Sequence, residues 1–220
     1  SRHVQPISRF NAPVCRCRRR RHGDYAEVGR KRAVIFCHNA IIMILIKSSQ
    51  EIQIMQEGGK IARKAVDEAV RQAGVGMTTL ELNTLAEKII IDAGGIPCFK
   101  GYEGFPFATC ININQGIVHG VPTKYKMQKG DVVSVDLGVL YKGMNTDVSE
   151  SFELETHYQD KFLEAGRQAL ASAIASCVIG NKIGDISSAI QTTIQRAGFS
   201  VSRNLAGHGV GRLIHEDPFV

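Results

Sequence analysis

With 220 residues and 44% apolar content, the chain can bury one sizeable core, which favours a single folded domain. Six cysteines, Cys15, Cys17, Cys37, Cys98, Cys110 and Cys177, follow no framework spacing, which argues against a disulfide scaffold and for reduced thiols. The formal charge of +6 is local: residues 1–42 hold ten of the 27 Lys/Arg and two of the 21 Asp/Glu, so +8 sits there and the remaining residues carry −2.

The basic stretch includes "CRCRRRRH" and has the composition of a disordered arm, able to contact nucleic acid or ribosome by counterion release without any particular fold. Met43 opens "MILIKSSQEIQIM", where ordered-looking sequence begins. Residues 1–42 are therefore expected to be a basic, disordered or non-native N-terminal extension, arising from an upstream or mis-assigned start. Residues 43–220 are expected to form the domain. The apolar run Ala33 to Ile46 behind Arg30-Lys31-Arg32 is too short to span a bilayer, is interrupted by His38 and Asn39, and has no small-residue cleavage site. A cytoplasmic protein is expected. The Cys15/Cys17 pair has no second pair with which to bind a metal.

Ser48 with Glu51 reads as a capping box opening a helix to about Ala73, with Ile52, Met55, Ala62, Ala65, Val66, Ala69 and Val70 on its buried side. Thr78 with Glu81 repeats the signal for a second helix through Leu82, Leu85, Ala86, Ile89 and Ile90, ended by Gly94-Gly95. "ATCININQGIVHG" alternates around an Asn-Gln-Gly turn and predicts one hairpin; "GDVVSVDLGVLYKGMNTDVSESF" predicts another. The order then starts again, with a helix from about His157 to Val178, a second from Ile186 to Ala197 capped by Asp185, and a strand near Phe199. A loose match between the two helix pairs, offset by 107 residues, suggests an internal repeat whose second copy lacks most of its strands. The chain is expected to be a truncated domain.

Asp136 and Asp147 fall inside the second hairpin, where acids are depleted. A turn centred between Tyr141 and Lys142 sets them directly opposite each other, with Cβ atoms about 4.5–5.5 Å apart. Two carboxylates that close repel unless a cation neutralises both, so a divalent metal site is one reading. Two solvent-facing acids, or a bulge that separates them, are the alternatives. His119 in "GIVHGVP", and His208 and His215 in "GHGVGRLIHEDP", add imidazoles able to complete such a site. His3, His22, His38 and His157 are read as core or solvent residues.

The ordered series "GYEGFPFATCININQGIVHGVP", "GDVVSVDLG", Asp147 eleven residues after Asp136, and "GHGVGRLIHEDP" resembles the type I methionine aminopeptidases over roughly Met43 to Val220. The resemblance implies an α+β pita-bread fold with a pseudo-twofold axis and an incomplete second half. It implies metal-assisted removal of the initiator methionine, with N-terminal Met peptides of nascent chains as substrates. Two divalent ions (Co, Mn, Fe or Zn) are implied as cofactors, with Asp136 chelating one, Asp147 bridging both and His208 ligating the other. His119 and His215 resemble the family's two substrate-facing, catalytic histidines, and Tyr102, Phe105 and Cys110 match positions lining its methionine pocket. A thiol and aromatic faces suit a thioether side chain.

The family's two glutamate ligands have no counterpart here, and Glu216 does not replace them because it adjoins His215 in the "HEDP" turn. Three ligands stand where the family uses five, so the 220-residue chain is expected to be inactive although the full-length protein is a hydrolase. Partner expectations are ribosome association through the basic arm, no membrane, no specific nucleic acid, and a monomer. Two other functions remain open: a non-catalytic pita-bread module binding protein or RNA, and an aminopeptidase acting before proline. The retained ligand trio disfavours the first, and the lack of a separate N-terminal domain disfavours the second. Glu103 stands in the pocket loop where the family varies.

Overall fold

The computed structural model describes residues 33–37 and 40–220, with side chains from residue 44 onward. In chain order the elements are β1 (Ala33–Cys37), β2 (Ala40–Ile44), α1 (Ser49–Gln72), α2 (Thr79–Asp92), β3 (Ile96–Pro97), a 3-10 turn (Tyr102–Gly104), β4 (Thr109–Ile113), β5 (Val132–Tyr141), β6 (Met144–Glu153), α3 (Asp160–Ser176), α4 (Ile183–Arg196), β7 (His208–Gly209) and β8 (Glu216–Phe219). The described strands thus begin ten residues before Met43, as an antiparallel β1–β2 pair. Residues 1–32, with Cys15, Cys17, His3 and His22, lie outside the described residues, as does His38. Among the described residues no helix is long and apolar enough to cross a membrane.

Both expected capping boxes open their helices. The Ser48 hydroxyl accepts the Glu51 N–H while the Glu51 carboxylate accepts the Ser48 N–H, and Thr78 and Glu81 do the same for α2. Each box satisfies two of the N–H groups that a helix start otherwise leaves bare. Ile52 does not join the buried stripe of α1: it is 47% exposed, so the stripe begins further along, at Gly58 and Ala62.

The central sheet is built on β5, which pairs along one edge with the whole of β6 and along the other with β4 and then β3. Its period of two divides the side chains cleanly. Val133, Val135, Leu137 and Val139 point to one face and are fully buried, packed with Ala62, Ala65, Val66 and Ala69 of α1 and Leu82, Ala86 and Ile90 of α2. The alternate residues, Asp136 and Gly138 among them, belong to the other face. The core therefore needs only one side of the sheet, and the side turned away from the helices is left for polar groups.

A buried amide fixes β4 against α2. Asn83 Oδ1 accepts the Ala108 N–H, the Thr109 N–H and the Thr109 hydroxyl at 3.0–3.1 Å. The return strand expected after Asn-Gln-Gly does not form. Ile111 donates its N–H to the Gly120 carbonyl, but the segment between is irregular, and β4 pairs with β5. The reason lies in burial: four of the five β4 residues are buried, so both faces of this strand are covered and its alternation was not that of a half-exposed hairpin.

In the second half, α3 and α4 form a helix pair that repeats the α1–α2 order. Asp185 sits in the first turn of α4, where its carboxylate accepts the Lys182 N–H at 2.6 Å, so the helix opens at Ile183. No strand forms near Phe199 among the described residues; the short β7–β8 ribbon comes later. Cys98, Cys110 and Cys177 are free thiols, and Cys177 is exposed at the end of α3 instead of lying in a core.

Candidate active site

The site grows from the β5–β6 hairpin. Its register pairs Asp136 with Ser149 and Gly138 with Asp147, so the two acids are diagonal neighbours on one face and not directly opposite. The turn explains the shift. Lys142 (φ 46°) and Gly143 (φ 83°) form a two-residue loop between Tyr141 and Met144, with both central residues in the left-handed region. That loop matches the twist of a hairpin, and glycine at its second position permits it. The turn centre is therefore one residue later than the sequence reading placed it. Because the register moves each pairing by two, the face is preserved.

The acids still act on each other. Burial, and then the charge and hydrogen bond of Asp147, push Asp136 up to about 7. Burial also raises Asp147, against the opposing pull of His208. Among the described residues neither has a Lys or Arg ion-pair partner; the recorded contact is His208 Nε2, 3.8 Å from Asp147 Oδ2. The other ring nitrogen of His208 donates to the Gly209 carbonyl at 2.9 Å, because a carbonyl can only accept. That bond leaves Nε2, on the Asp147 side, as the ring nitrogen able to ligate, the arrangement typical of a metal-binding imidazole.

His215 follows on the same arm. Its ring centroid lies 4.4 Å from that of His208 and 5.4 Å from that of Tyr102, and its Nδ1 is 3.1 Å from the Tyr102 hydroxyl. Burial, and then the neighbouring His208, keep the His215 imidazole below the usual histidine range, so it is neutral near pH 7. His119 is exposed, with φ 56°, and near enough to contribute to the His215 field. Gly120, next to it, is held by Asn112 Oδ1 and by the Ile111 N–H. Cys110 stands opposite Asp136 across β4–β5. Phe105 is partly buried with its ring against Phe107 at 6.1 Å, and no contact joins it to the acids among the described interactions. His157 is exposed and touches Asp160, which fits the solvent alternative and not the core one.

The sequence reading had Cys98 as a reduced thiol but did not place it, or Phe99, against the acids. A Cβ on Gly138 would lie 2.4 Å from Cys98 Sγ and 2.7 Å from Phe99, so Cys98 and Phe99 pack directly onto the strand between the acids. Burial, then Asp147, pushes the Cys98 thiol up to about 12, and Cys110 is raised as far by burial and Asp136. Both remain thiols, apolar in character. The available signal was Gly138 itself, since glycine inside a strand often marks a close approach.

Two carboxylates with no Lys or Arg ion-pair partner among the described residues, and an imidazole whose Nε2 lies on their side, are a donor set for a first-row divalent ion. The fit is in chemistry and placement: among the described residues no three His, Cys, Asp or Glu side chains converge tightly enough to enclose an ion as they stand.

Residues 53–220 match metallopeptidase family M24. The chain is 36% identical over 180 residues to a methionine aminopeptidase of Clostridium perfringens, covering 81% of this chain and 72% of that protein. It is also 36% identical over 178 residues to methionine aminopeptidase 1 of Bacillus subtilis, with 80% and 72% covered. Among solved structures, a methionine aminopeptidase from Thermotoga maritima aligns with a TM-score of 0.78 and 38% identity over 80% of this chain and 72% of that one. A prolidase from Pyrococcus furiosus aligns with a TM-score of 0.70 and 26% identity over 79% and 51%.

Proposed function

Because the chain belongs to metallopeptidase family M24 and has its pita-bread fold, we propose that it hydrolyses the peptide bond after an N-terminal methionine, with divalent ions held by Asp136, Asp147 and His208. The observation that carries this reading is a half-buried Asp136 beside an Asp147 whose side chain is 23% exposed, with no Lys or Arg ion-pair partner among the described residues and Nε2 of His208 on the same side. Holding two carboxylates this close and partly out of water is costly unless a cation answers them. Asp147, which lies between Asp136 and His208, is the residue that would be shared if two ions were held. Manganese, cobalt, iron and zinc all suit carboxylate and imidazole donors. The substrate class is taken from the relatives, peptides with N-terminal methionine.

The chain's own residues divide the remaining work. Cys110, Tyr102 and Phe105 line the methionine pocket, where a thiol and ring faces suit a thioether. Bound ions supply Lewis acidity and a water that ionises near neutral pH. His215, neutral and oriented through Tyr102, presents its ring toward the scissile carbonyl, where a donor N–H stabilises the charge that develops on oxygen. His119 hydrogen-bonds the scissile amide from the opposite loop. Water adds its oxygen to the scissile carbonyl carbon, the C–N bond breaks, and the leaving amine takes up the proton that the water gives up, so that free methionine and a shortened peptide result.

Selectivity tests the reading. With manganese bound, methionine release from Met-Ala-Ser is expected, and none from acetyl-Met-Ala-Ser, with Ala-Ala-Ser and Ala-Pro-Ser left uncut; cleavage of the proline peptide in preference to the methionine one would refute it. Only three donors are proposed, so turnover by the 220-residue chain is expected to fall well below roughly 1 per second, the low end of common enzymes.

A further inference from the structure

The turn 211–216 carries His215, yet only Gly211, Ile214 and Glu216 in it are buried. Its fastenings to other elements are polar. Arg212 grips Glu51 with two parallel bonds, Nε to Oε1 and Nη2 to Oε2, each 2.8 Å, across 161 positions of sequence. The same carboxylate accepts the Ser48 N–H at 2.8 Å, so one side chain both caps α1 and anchors the turn. Asn145, two residues before Asp147 on β6, donates its N–H to the Gly211 carbonyl and its side-chain amide to the Gly211 and Arg212 carbonyls, at 2.6, 3.0 and 3.2 Å. Glu216, whose side chain is 2% exposed, accepts from Lys47 and from the Leu213 N–H. Two-pronged arginine–carboxylate pairs fix orientation as well as distance.

We propose that Arg212 is a positioning residue for the histidine pair: through Glu51 at the first turn of α1 it sets the 211–216 turn so that His208 lies against Asp147 and His215 against Tyr102. The inference rests on the reading of His208 as a metal donor and His215 as substrate-facing. It makes the start of α1 part of the site's support, although α1 contributes no group to the chemistry. Tight coupling of this kind is needed because an imidazole displaced by an ångström loses its bond directions to ion and substrate.

Histidine ring NMR on the metal-free 220-residue chain reads the arrangement directly, since His215 lies between the rings of Tyr102 and His208. In Arg212→Ala the ring signals of His208 and His215 are expected to move toward those of free imidazoles. Ser48→Ala, which loosens the helix start but leaves Glu51 to Arg212, should leave them in place. Arg212→Lys keeps the charge with a single prong and should give an intermediate shift. Cobalt affinity should fall about tenfold in Arg212→Ala and hold in Ser48→Ala, the size typical of a residue that supports a ligand. Ring signals matching the parent in Arg212→Ala, or in Arg212→Lys if the alanine variant does not fold, overturn the proposal. So does equal movement in Ser48→Ala, because a loosened helix would then be the cause. If the parent binds no cobalt, the metal reading fails while the ring signals still decide this one.

Discussion

Asp147→Ala is expected to weaken manganese binding by upwards of about a hundredfold, since a direct ligand should cost more than the ten- to hundredfold typical of a supporting residue. Asp147 is the group that both Asp136 and His208 approach, so its loss leaves the other two donors with nothing in common. The same change removes one of two repelling, partly desolvated acids. The metal-free variant should therefore be at least as stable as the parent, and its Asp136 should ionise at lower pH. This combination separates the account from simple unfolding. Calorimetric titration with manganese beside a thermal melt in chelator reads both; parent-like affinity, or lost affinity in a variant that has also lost its melt, would tell against it.

The second large effect is a pH dependence that belongs to the metal-free protein. Asp136 is pushed up to about 7 by burial and by Asp147, whereas in the unfolded chain it ionises near about 3.9. Between those values the folded state holds a proton that the unfolded state has released. Stability must then fall as pH rises through the window, and above pH 7 the penalty is complete. Below about pH 4 both states are protonated and no penalty exists. Asp147 is shifted in the same direction and adds to the slope. Asparagine at position 136 cannot ionise, so the unfolding free energy of Asp136→Asn, read by urea titration, should fall less between pH 4.5 and 7.5 than the parent's, by roughly 2–4 kcal/mol. Saturating manganese should flatten the parent, because the ion takes the place of the proton. Parallel pH curves for parent and variant would contradict this.

The features legible from sequence were those set by local rules. Both capping boxes are patterns within four residues, and both formed where Ser48-Glu51 and Thr78-Glu81 placed them. The acids Asp136 and Asp147 stood out because their alternation with Val135, Leu137 and Val148 gave them one face, and that face survived the change in register. The register itself was misread because the hairpin's centre depends on which residues take left-handed angles. Gly143 marked the second of them, but Lys142 carried no such mark. The hairpin after Asn-Gln-Gly failed for a different reason: whether an apolar strand is covered on one side or two is a tertiary fact, and β4, buried at four of five residues, pairs with β5 instead of a return strand.

The supporting network was illegible for the same reason. Arg212 and Glu51 are separated by 161 positions, and each alone is an ordinary surface charge; their meeting depends on how the turn before β8 returns to the start of α1. Asn145 likewise looks like a strand residue out of place until the Gly211 and Arg212 carbonyls arrive beside it. Gly138 was visible, but what it admits, Cys98 and Phe99, was not.

Asp136, Asp147 and His208 are assigned one shared task, holding a divalent ion. Crystals of the 220-residue chain grown with manganese, measured for anomalous scattering at the manganese edge, should show density between the carboxylates of Asp136 and Asp147 and within bonding distance of His208 Nε2. Density confined to other positions, or absent from that spot at saturating manganese, would contradict the central claim.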